Sequence, residues 1–440
     1  MSSAEPVSWR PFRSRVGSHV LMLRGSQILD LPETLDLEVL DPEALAPYLR
    51  HGAGLGLSAV PAVAPQSISL NVTSACNLGC TYCYADRGRF DGAQTGTMSV
   101  STAQRAVDAL LAGCDRHALA TVGFLGGEPF LHRSLVHQLV AYTSARANEL
   151  GQPVGFSVTT NGTRLDPGDL NLLRSHRCAV TVSIDGGRVT HDRLRRNLLG
   201  GGSWDDVVAA VAPLLARPGL AAVSARATVC RDDLDLTGRY DALVGVGFTS
   251  VGFAPVRLGW GALRDEDWPR WTVASVALGE RELARIRAGG DTAFSNLRTA
   301  LHQLHAGWSA PYPCGAGGGY ASVSTTGQWY ACHRAIGEQD YALGDAQRPV
   351  DPDRPVDPDR QRRFLEVRHV EQVEPCRQCW ARYLCSGGCH QEATARTDAS
   401  CDAIRGWLEF CLDAYCAVSS ERLDWFALPP APTPTEAGRN

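Results

Sequence analysis

The sequence predicts an α/β chain built on a βα-repeat sheet, open or barrel-like, and three observations carry that expectation. Six short β-rich runs recur between Ser67 and about Pro255: Ile68–Val72, Val122–Leu125, Gly155–Thr159, Val180–Ile184, Ala225–Val229 and Val251–Ala254. Helical patterns fill most of the gaps, and gaps of this length suit parallel strands joined by helical crossovers. The punctuation falls at the C-terminal ends of the strands, where βα folds build their active sites. A cysteine triplet follows the first run, Gly126-Gly127-Glu128-Pro129 the second, Thr160-Asn161-Gly162 the third and Asp185-Gly186 the fourth.

Around this unit the chain is long enough for two or three packed bodies, at 440 residues. Residues 1–66 read as a preface: His19–Leu23 and Gln27–Leu31 flank a turn at Arg24-Gly25-Ser26, and Asp41 to His51 reads as a short helix. Such a hairpin either offers its edge to an extended peptide or caps the bottom of the barrel. Arg348-Pro349-Val350-Asp351-Pro352-Asp353 is repeated directly as 354–359, which reads as a duplicated, proline-stiffened surface loop. The tail from 429 to 440 is low-complexity and expected to be disordered.

A net charge of −5 with both signs interspersed gives no basic stripe, so nucleic acid is not expected as a partner. No apolar run approaches the roughly 20 residues needed to cross a bilayer, and the first residues lack the pattern of a signal peptide. A cytoplasmic location follows, with no membrane partner. Fifteen cysteines in a reducing compartment read as metal ligands rather than disulfides. Ten fall in spaced groups. Cys114, Cys178, Cys230, Cys411 and Cys416 stand singly in apolar or helical contexts and read as small core residues.

The first group, Cys76-x3-Cys80-x2-Cys83, has an aromatic, Tyr82, just before its third cysteine. Three thiolates at these gaps leave one iron of a cubane cluster without a protein ligand; a zinc knuckle is the competing reading. The triplet resembles the signature of the radical S-adenosylmethionine (SAM) enzymes, and Gly126-Gly127-Glu128-Pro129 resembles that family's GGEP motif. The resemblance implies a partial (β/α)6 TIM-like barrel. It also implies a 4Fe-4S cluster on Cys76, Cys80 and Cys83, with SAM on the open iron. The glycines would let the backbone approach the cofactor, and a strand-end carbonyl or the Glu128 carboxylate would receive its ammonium. Tyr82, Asn161, Ser183 and Thr228 stand where relatives hold other parts of SAM, or are capping and turn residues.

A second group begins at Cys314, passes Gly327 and Cys332, and resumes as Cys376-x2-Cys379-x5-Cys385-x3-Cys389, with Cys401 further on. This resembles the SPASM domain, which implies two auxiliary 4Fe-4S clusters with interleaved ligands: Cys376, Cys379, Cys385 and Cys401 on one, Cys314, Cys332 and Cys389 on the other. Paired zinc sites use similar spacings. His333 or His390 completes the second set, or its iron stays open to substrate. Asp402 to Ser419 reads as an amphipathic helix that makes Cys411 core and leaves Cys401 in the loop ahead of it. The expected division is then 1–66, a radical SAM barrel over 67–300, a SPASM unit over 301–428, and the tail.

The stretches around Cys332 and Cys379–His390 are similar to maturases that crosslink ribosomally made peptides, including the quinohemoprotein amine dehydrogenase maturation type. That implies hydrogen abstraction from a precursor peptide by a 5′-deoxyadenosyl radical, closure of a thioether or carbon-carbon crosslink, and an electron donor such as flavodoxin or ferredoxin. Sulfatase-activating relatives carry aspartate where this chain has His333, the weak candidate for a catalytic residue, which counts against formylglycine formation. Two other readings stay open: radical oxidation of a different substrate, and a zinc-stabilised interaction protein.

Overall fold

The computed structural model describes residues 8–32, 64–90, 96–344 and 356–427. Its first element is an antiparallel sheet of β1 (Trp9–Ser14), β2 (Gly17–Met22) and β3 (Gln27–Leu31), in that spatial order. The expected hairpin is β2–β3; β1 was not expected. Pro11 hid it, because a proline breaks a strand pattern unless the strand lies at a sheet edge, as β1 does. Ion pairs fasten this sheet to the C-terminal part of the chain. Arg10 donates to Glu409 at 2.6 Å and Arg15 bridges Glu280 and Asp413. The helix expected at 41–51 and the tail lie outside the described residues.

The main sheet has eight strands. β4 (Ser67–Thr73), β5 (Ala120–Gly126), β6 (Val154–Thr160), β7 (Cys178–Ser183), β8 (Ala221–Val229) and β9 (Val251–Pro255) are parallel neighbours in chain order, as the six runs predicted. Between them run α1 (Val100–Gly113), α2 (Arg133–Leu150), α3 (Pro167–Ser175), α4 (Arg188–Leu194), α5 (Trp204–Ala216) and α6 (Leu236–Val246). Their starts follow ordinary cap chemistry: Ser99 accepts from Thr102 N, and Asp166 forms a capping box ahead of Pro167.

Two further strands extend this sheet beyond the six. β10 (Tyr320–Val323) lies parallel on β4, and β11 (Trp329–Tyr330) is antiparallel to β10. At four and two residues they are too short to show a period in the sequence. Along β4, β7 and β8 apolar residues alternate with polar ones. Ile68, Leu70, Val180, Val182, Ala225 and Ala227 are buried. Ser69, Asn71, Thr181, Ser183, Arg226 and Thr228 occupy the other phase, so the interior of the sheet is polar rather than a packed apolar core. Ser69 Oγ binds the Tyr320 hydroxyl and Ser322, which ties β10 to β4 through that face.

After β9 come α7 (Trp268–Arg287), α8 (Ser295–His305), the cysteine-rich segment with α9 (Pro358–Glu366) and α10 (Arg382–Cys385), and α11 (Asp398–Glu421). Most of the duplicated stretch lies outside the described residues, but its last part is not a loop. Asp357 accepts from the amides of Asp359 and Arg360 and so starts α9 at Pro358. One continuous apolar cluster runs from Leu21 through the barrel to Phe426. α7 and α11 meet at Gly279, where a Cβ would stand 2.4 Å from Phe410 Cε1. Gly279→Ala is expected to force that ring aside and lower stability by about 1–3 kcal/mol, measurable by thermal denaturation.

Candidate active site

The site grows from the ends of β4, β5 and β6. Past β4 the chain turns into the cysteine triplet, and past β5 the Gly126-Gly127 step is laid directly against it. Gly127 N donates to Thr73 O at 2.8 Å and Glu128 N to Ala75 O at 2.9 Å. A Cβ at Gly127 would stand 2.1 Å from Ala75 O, and one at Gly126, whose φ is +134°, 2.3 Å from Thr73 O. The glycines are therefore needed for the approach of the cysteine loop's own backbone. Glu128 is fully buried, and its carboxylate is occupied by protein donors: Phe130 N, Thr160 Oγ1 and Asn161 N at 2.7–3.1 Å. Burial pushes its pKa up against those three bonds. Its place is that of a strut joining the ends of β5 and β6. Asn161 continues the connection, its Nδ2 donating to Asn77 Oδ1 at 2.9 Å and lying 3.8 Å from Cys76 Sγ.

Tyr82 points inward. Its hydroxyl donates to Asp185 Oδ2 at 2.6 Å and accepts from Arg195. Asp185 is fully buried and its other oxygen accepts from Thr228 N at 2.9 Å, so β7, β8 and the cysteine loop converge on one carboxylate. His191 accepts from Asp185 N through Nδ1 and contacts Ser203 Oγ through Nε2. Since Ser203 donates to Arg195 O, Nε2 carries the ring proton. Burial, with Arg195 nearby, pushes His191 down to about 4. Arg195 is 7% exposed; burial opposes its charge, but Cys80, Tyr82 and Asp185 outweigh that and hold it cationic. Its Nε has no partner among the described residues. Sequence reasoning missed Asp185 and Arg195 as site residues. Asp185 was visible only as strand-end punctuation, and Arg195 stands at the end of α4, where nothing local marks it.

Burial pushes Cys76 up to about 11, with Cys80 and Cys83 adding to it. It does the same for Cys332, beside Cys389 and Cys314, and for Cys385, beside Cys376, Cys379 and Cys401. Any metal must displace these protons as it binds. Cys376, Cys379, Cys385, Cys389 and Cys401 line one cavity of about 350 Å³. Cys401 is a correction: it lies in the first turn of α11, which starts at Asp398 behind a Thr397–Ser400 capping box, and not in a loop. The box was missed because its acceptor partner is a serine rather than Glu or Gln. The five single cysteines are buried.

Between the triplet and the Cys332 set stand Tyr84, His333 and Arg334. Arg334 lies 4.9 Å over the Tyr84 ring, pairs with Glu392 at 2.6 Å and comes within 4.0 Å of Cys389 Sγ. His333 meets the Tyr320 hydroxyl through Nδ1 at 3.1 Å and packs edge-on to Tyr84. His390 packs instead among Tyr312 and Phe364, with Nε2 buried and unpartnered among the described residues. Ser183 closes β7 opposite Arg226.

Comparisons with known proteins follow this geometry. Residues 70–217 match the Radical SAM superfamily. The chain carries a radical SAM domain over those residues and is an enzyme. It is 28% identical over 336 residues to mycofactocin maturase MftC of Mycobacterium ulcerans, covering 74% of this chain and 83% of that one. Its fold is similar to that of anSMEcpe with bound AdoMet, with a TM-score of 0.70 at 20% identity over 82% of this chain and 97% of that one. It is also similar to Streptococcus suis SuiB bound to precursor peptide SuiA, with a TM-score of 0.53 at 12% identity over 90% and 98% of the two chains. Among the described residues no helix is long and apolar enough to cross a membrane.

Proposed function

We propose that this radical SAM enzyme is a maturase that removes hydrogen from a residue of a ribosomal precursor peptide and closes an intramolecular thioether or carbon-carbon crosslink. The observation that supports the reading is the placement of ten spaced cysteines, three just past β4 and seven in the C-terminal part, where five of them line one cavity. The cavity of about 350 Å³ lined by Cys376, Cys379, Cys385, Cys389 and Cys401 supports a site roomy enough for a cluster. Cys76, Cys80 and Cys83 would hold the SAM-binding cluster, with Cys314, Cys332 and Cys389, and Cys376, Cys379, Cys385 and Cys401, on two auxiliary ones.

When bound, the first cluster and SAM supply a carbon-centred radical that takes a hydrogen atom from substrate. The chain's own contribution is positional. Glu128 and Gly127 fix the cysteine loop on the strand ends, Asn161 steadies Cys76, and Tyr82 with Asp185 and Thr228 forms a fixed wall beside the triplet. Arg195, cationic and with an Nε unpartnered among the described residues, would take an anionic group of the cofactor. Tyr84, His333 and Arg334 line the passage toward the Cys332 set, which is where a substrate residue would sit between the radical and an electron acceptor. MftC and the SuiB–SuiA pair support a peptide as the substrate, and the surroundings support a water-poor site in which a bound C–H group is held for reaction. A partner that delivers electrons, flavodoxin or ferredoxin, completes the requirement.

The test is incubation of anaerobically reconstituted enzyme with SAM, dithionite and the peptide of any short neighbouring reading frame. A product lighter by two hydrogen atoms, with the new bond located by tandem mass spectrometry, is expected. An unmodified peptide beside an aldehyde-bearing sulfatase would replace this reading with formylglycine formation.

A further inference from the structure

Arg226 is a cation in a place where the fold gives it no counterpart. It stands in β8, opposite Ser183 of β7 and Gly252 of β9. Ala225 and Ala227 on either side are buried in the apolar layer, so strand alternation turns Arg226 to the other face, the polar interior of the barrel. Ser224, two residues before it, is in the same phase and meets Thr181 Oγ1 across the sheet at 3.5 Å. Gly252 leaves the room: a Cβ there would stand 3.4 Å from Arg226 Nη1. Water reaches the side chain, yet the protein surrounds it closely enough that lost solvation pulls its pKa below the usual guanidinium value. Both facts describe a group that projects into an enclosed, wet lumen.

Two charges reach Arg226 from the elements packed around it. Arg334 opposes its own charge and Glu392 favours it. Glu392 is already shared, by Arg334 at 2.6 Å and Arg257 at 3.7 Å. Three guanidinium groups thus face one carboxylate. The other acids of the barrel mouth are engaged elsewhere, Asp185 by Tyr82 and Thr228, and Glu128 by its three donors. Among the described residues Arg226 makes no hydrogen bond or ion pair, and Arg334 Nε is buried without a partner. Thiolates do not account for the excess: Arg334 comes within 4.0 Å of Cys389 Sγ, but no cysteine is among the charges that reach Arg226. An enclosed guanidinium held without a counter-ion is costly unless a ligand supplies one.

The position in the lumen decides what that ligand is. Arg334, whose charge Arg226 meets, lies 4.9 Å over the ring of Tyr84, the residue after Cys83. The unmatched cation therefore borders the passage between the triplet and the Cys332 set, where the substrate residue would sit. We propose that Arg226, backed by Arg334, recognises a carboxylate of the substrate peptide, so that the residue offered to the radical is acidic or is the peptide's C-terminal residue. The proposal rests on the peptide-maturase reading and names the chemistry its substrate must present. A planar guanidinium donates to a carboxylate through two parallel N–H bonds, which fixes orientation as well as position. In a lumen cut off from bulk water, that pairing holds the adjoining C–H bond in place for the radical.

The experiment reads protection of Arg226 from phenylglyoxal in the reconstituted holoenzyme, with and without SAM and with no reductant. Mass spectrometry of the proteolysed chain follows the modification, and exposed Arg116 in the loop after α1 is the reference. The probes are N-acetylated pentapeptides at millimolar concentration: a central Glu or Gln among alanines with an amidated end, and an all-alanine chain ending in a free acid or an amide. Modification of Arg226 is expected to slow about tenfold or more with an acid probe and to stay unchanged with its amide counterpart. Action of the Glu probe assigns a side-chain carboxylate, action of the free-acid probe a C-terminus. Arg226→Gln should lower the calorimetric affinity for that probe by about tenfold, with Arg226→Lys in between and Val273→Glu, on the exposed side of α7, at wild type. Equal protection by acid and amide, protection by neither acid, or full protection by SAM alone overturns the proposal. So does loss of iron in a folded Arg226→Gln chain, which would make the arginine a support of the clusters. If an acid probe protects Arg226 but no peptide is ever modified, the site stands and the maturase reading fails.

Discussion

Cys80→Ala is expected to abolish SAM cleavage altogether, while Cys379→Ala keeps abortive formation of 5′-deoxyadenosine yet yields no modified peptide. The contrast follows from where the two thiols stand. Cys80 belongs to the set at the ends of β4 and β5, beside Arg195 and Tyr82. Losing one of three ligands there leaves no site for the cluster that SAM must meet. Cys379 lines the 350 Å³ cavity against α10 and α11, in the C-terminal unit. On the proposed assignment its loss would remove an auxiliary cluster while leaving Glu128, Asn161 and the cysteine loop untouched. Iron analysis checks the proposed assignment, on which three clusters would give about twelve irons per chain and each variant should lack about four, while SAM cleavage tells the two variants apart. Equal loss of cleavage in both variants, with the chain still folded, would show that the sets have been given the wrong roles. Because ligation and folding are coupled, near-UV circular dichroism of each variant belongs in the comparison.

Gly127→Ala should be nearly as damaging although it removes no ligand. The added methyl would meet Ala75 O at 2.1 Å, Ala75 C at 2.4 Å and Cys76 N at 2.9 Å, all backbone atoms that cannot rotate aside. Relief requires the whole entry to the cysteine loop to move, which breaks the Gly127 N–Thr73 O and Glu128 N–Ala75 O bonds. The expected outcome is a chain that keeps its auxiliary iron but loses about four irons and all cleavage of SAM. Gly151→Ala is the matched control. It has φ +63° with nothing within 4 Å, so only the backbone penalty of about 1 kcal/mol applies. Full iron loading in Gly127→Ala would show that the loop is looser than its contacts imply.

The six parallel strands were legible because each is a short run rich in apolar or β-branched residues, and β5, β6 and β7 run into glycine, asparagine or aspartate. The cysteine spacing was legible because it survives in one dimension. What escaped has physical causes. β10 and β11 take their stability from β4 and have too few residues to show a pattern of their own. β1 contains Pro11. Cys401 appeared to precede its helix because Thr397 caps with a serine. Arg195 acquires its place beside Cys80 only when α4 folds back across the cysteine loop, and no local property of the sequence records that.

The attachment of β10 to β4 bears on how the chain is made. β4 is the first strand of the barrel to leave the ribosome, yet its free edge is covered by Tyr320–Val323, synthesised some two hundred and fifty residues later. Throughout that interval the nascent barrel presents an unpaired parallel edge, a template for association between chains. Production of this enzyme is therefore most vulnerable late in translation, and a product cut short before β10 would keep that sticky edge for good.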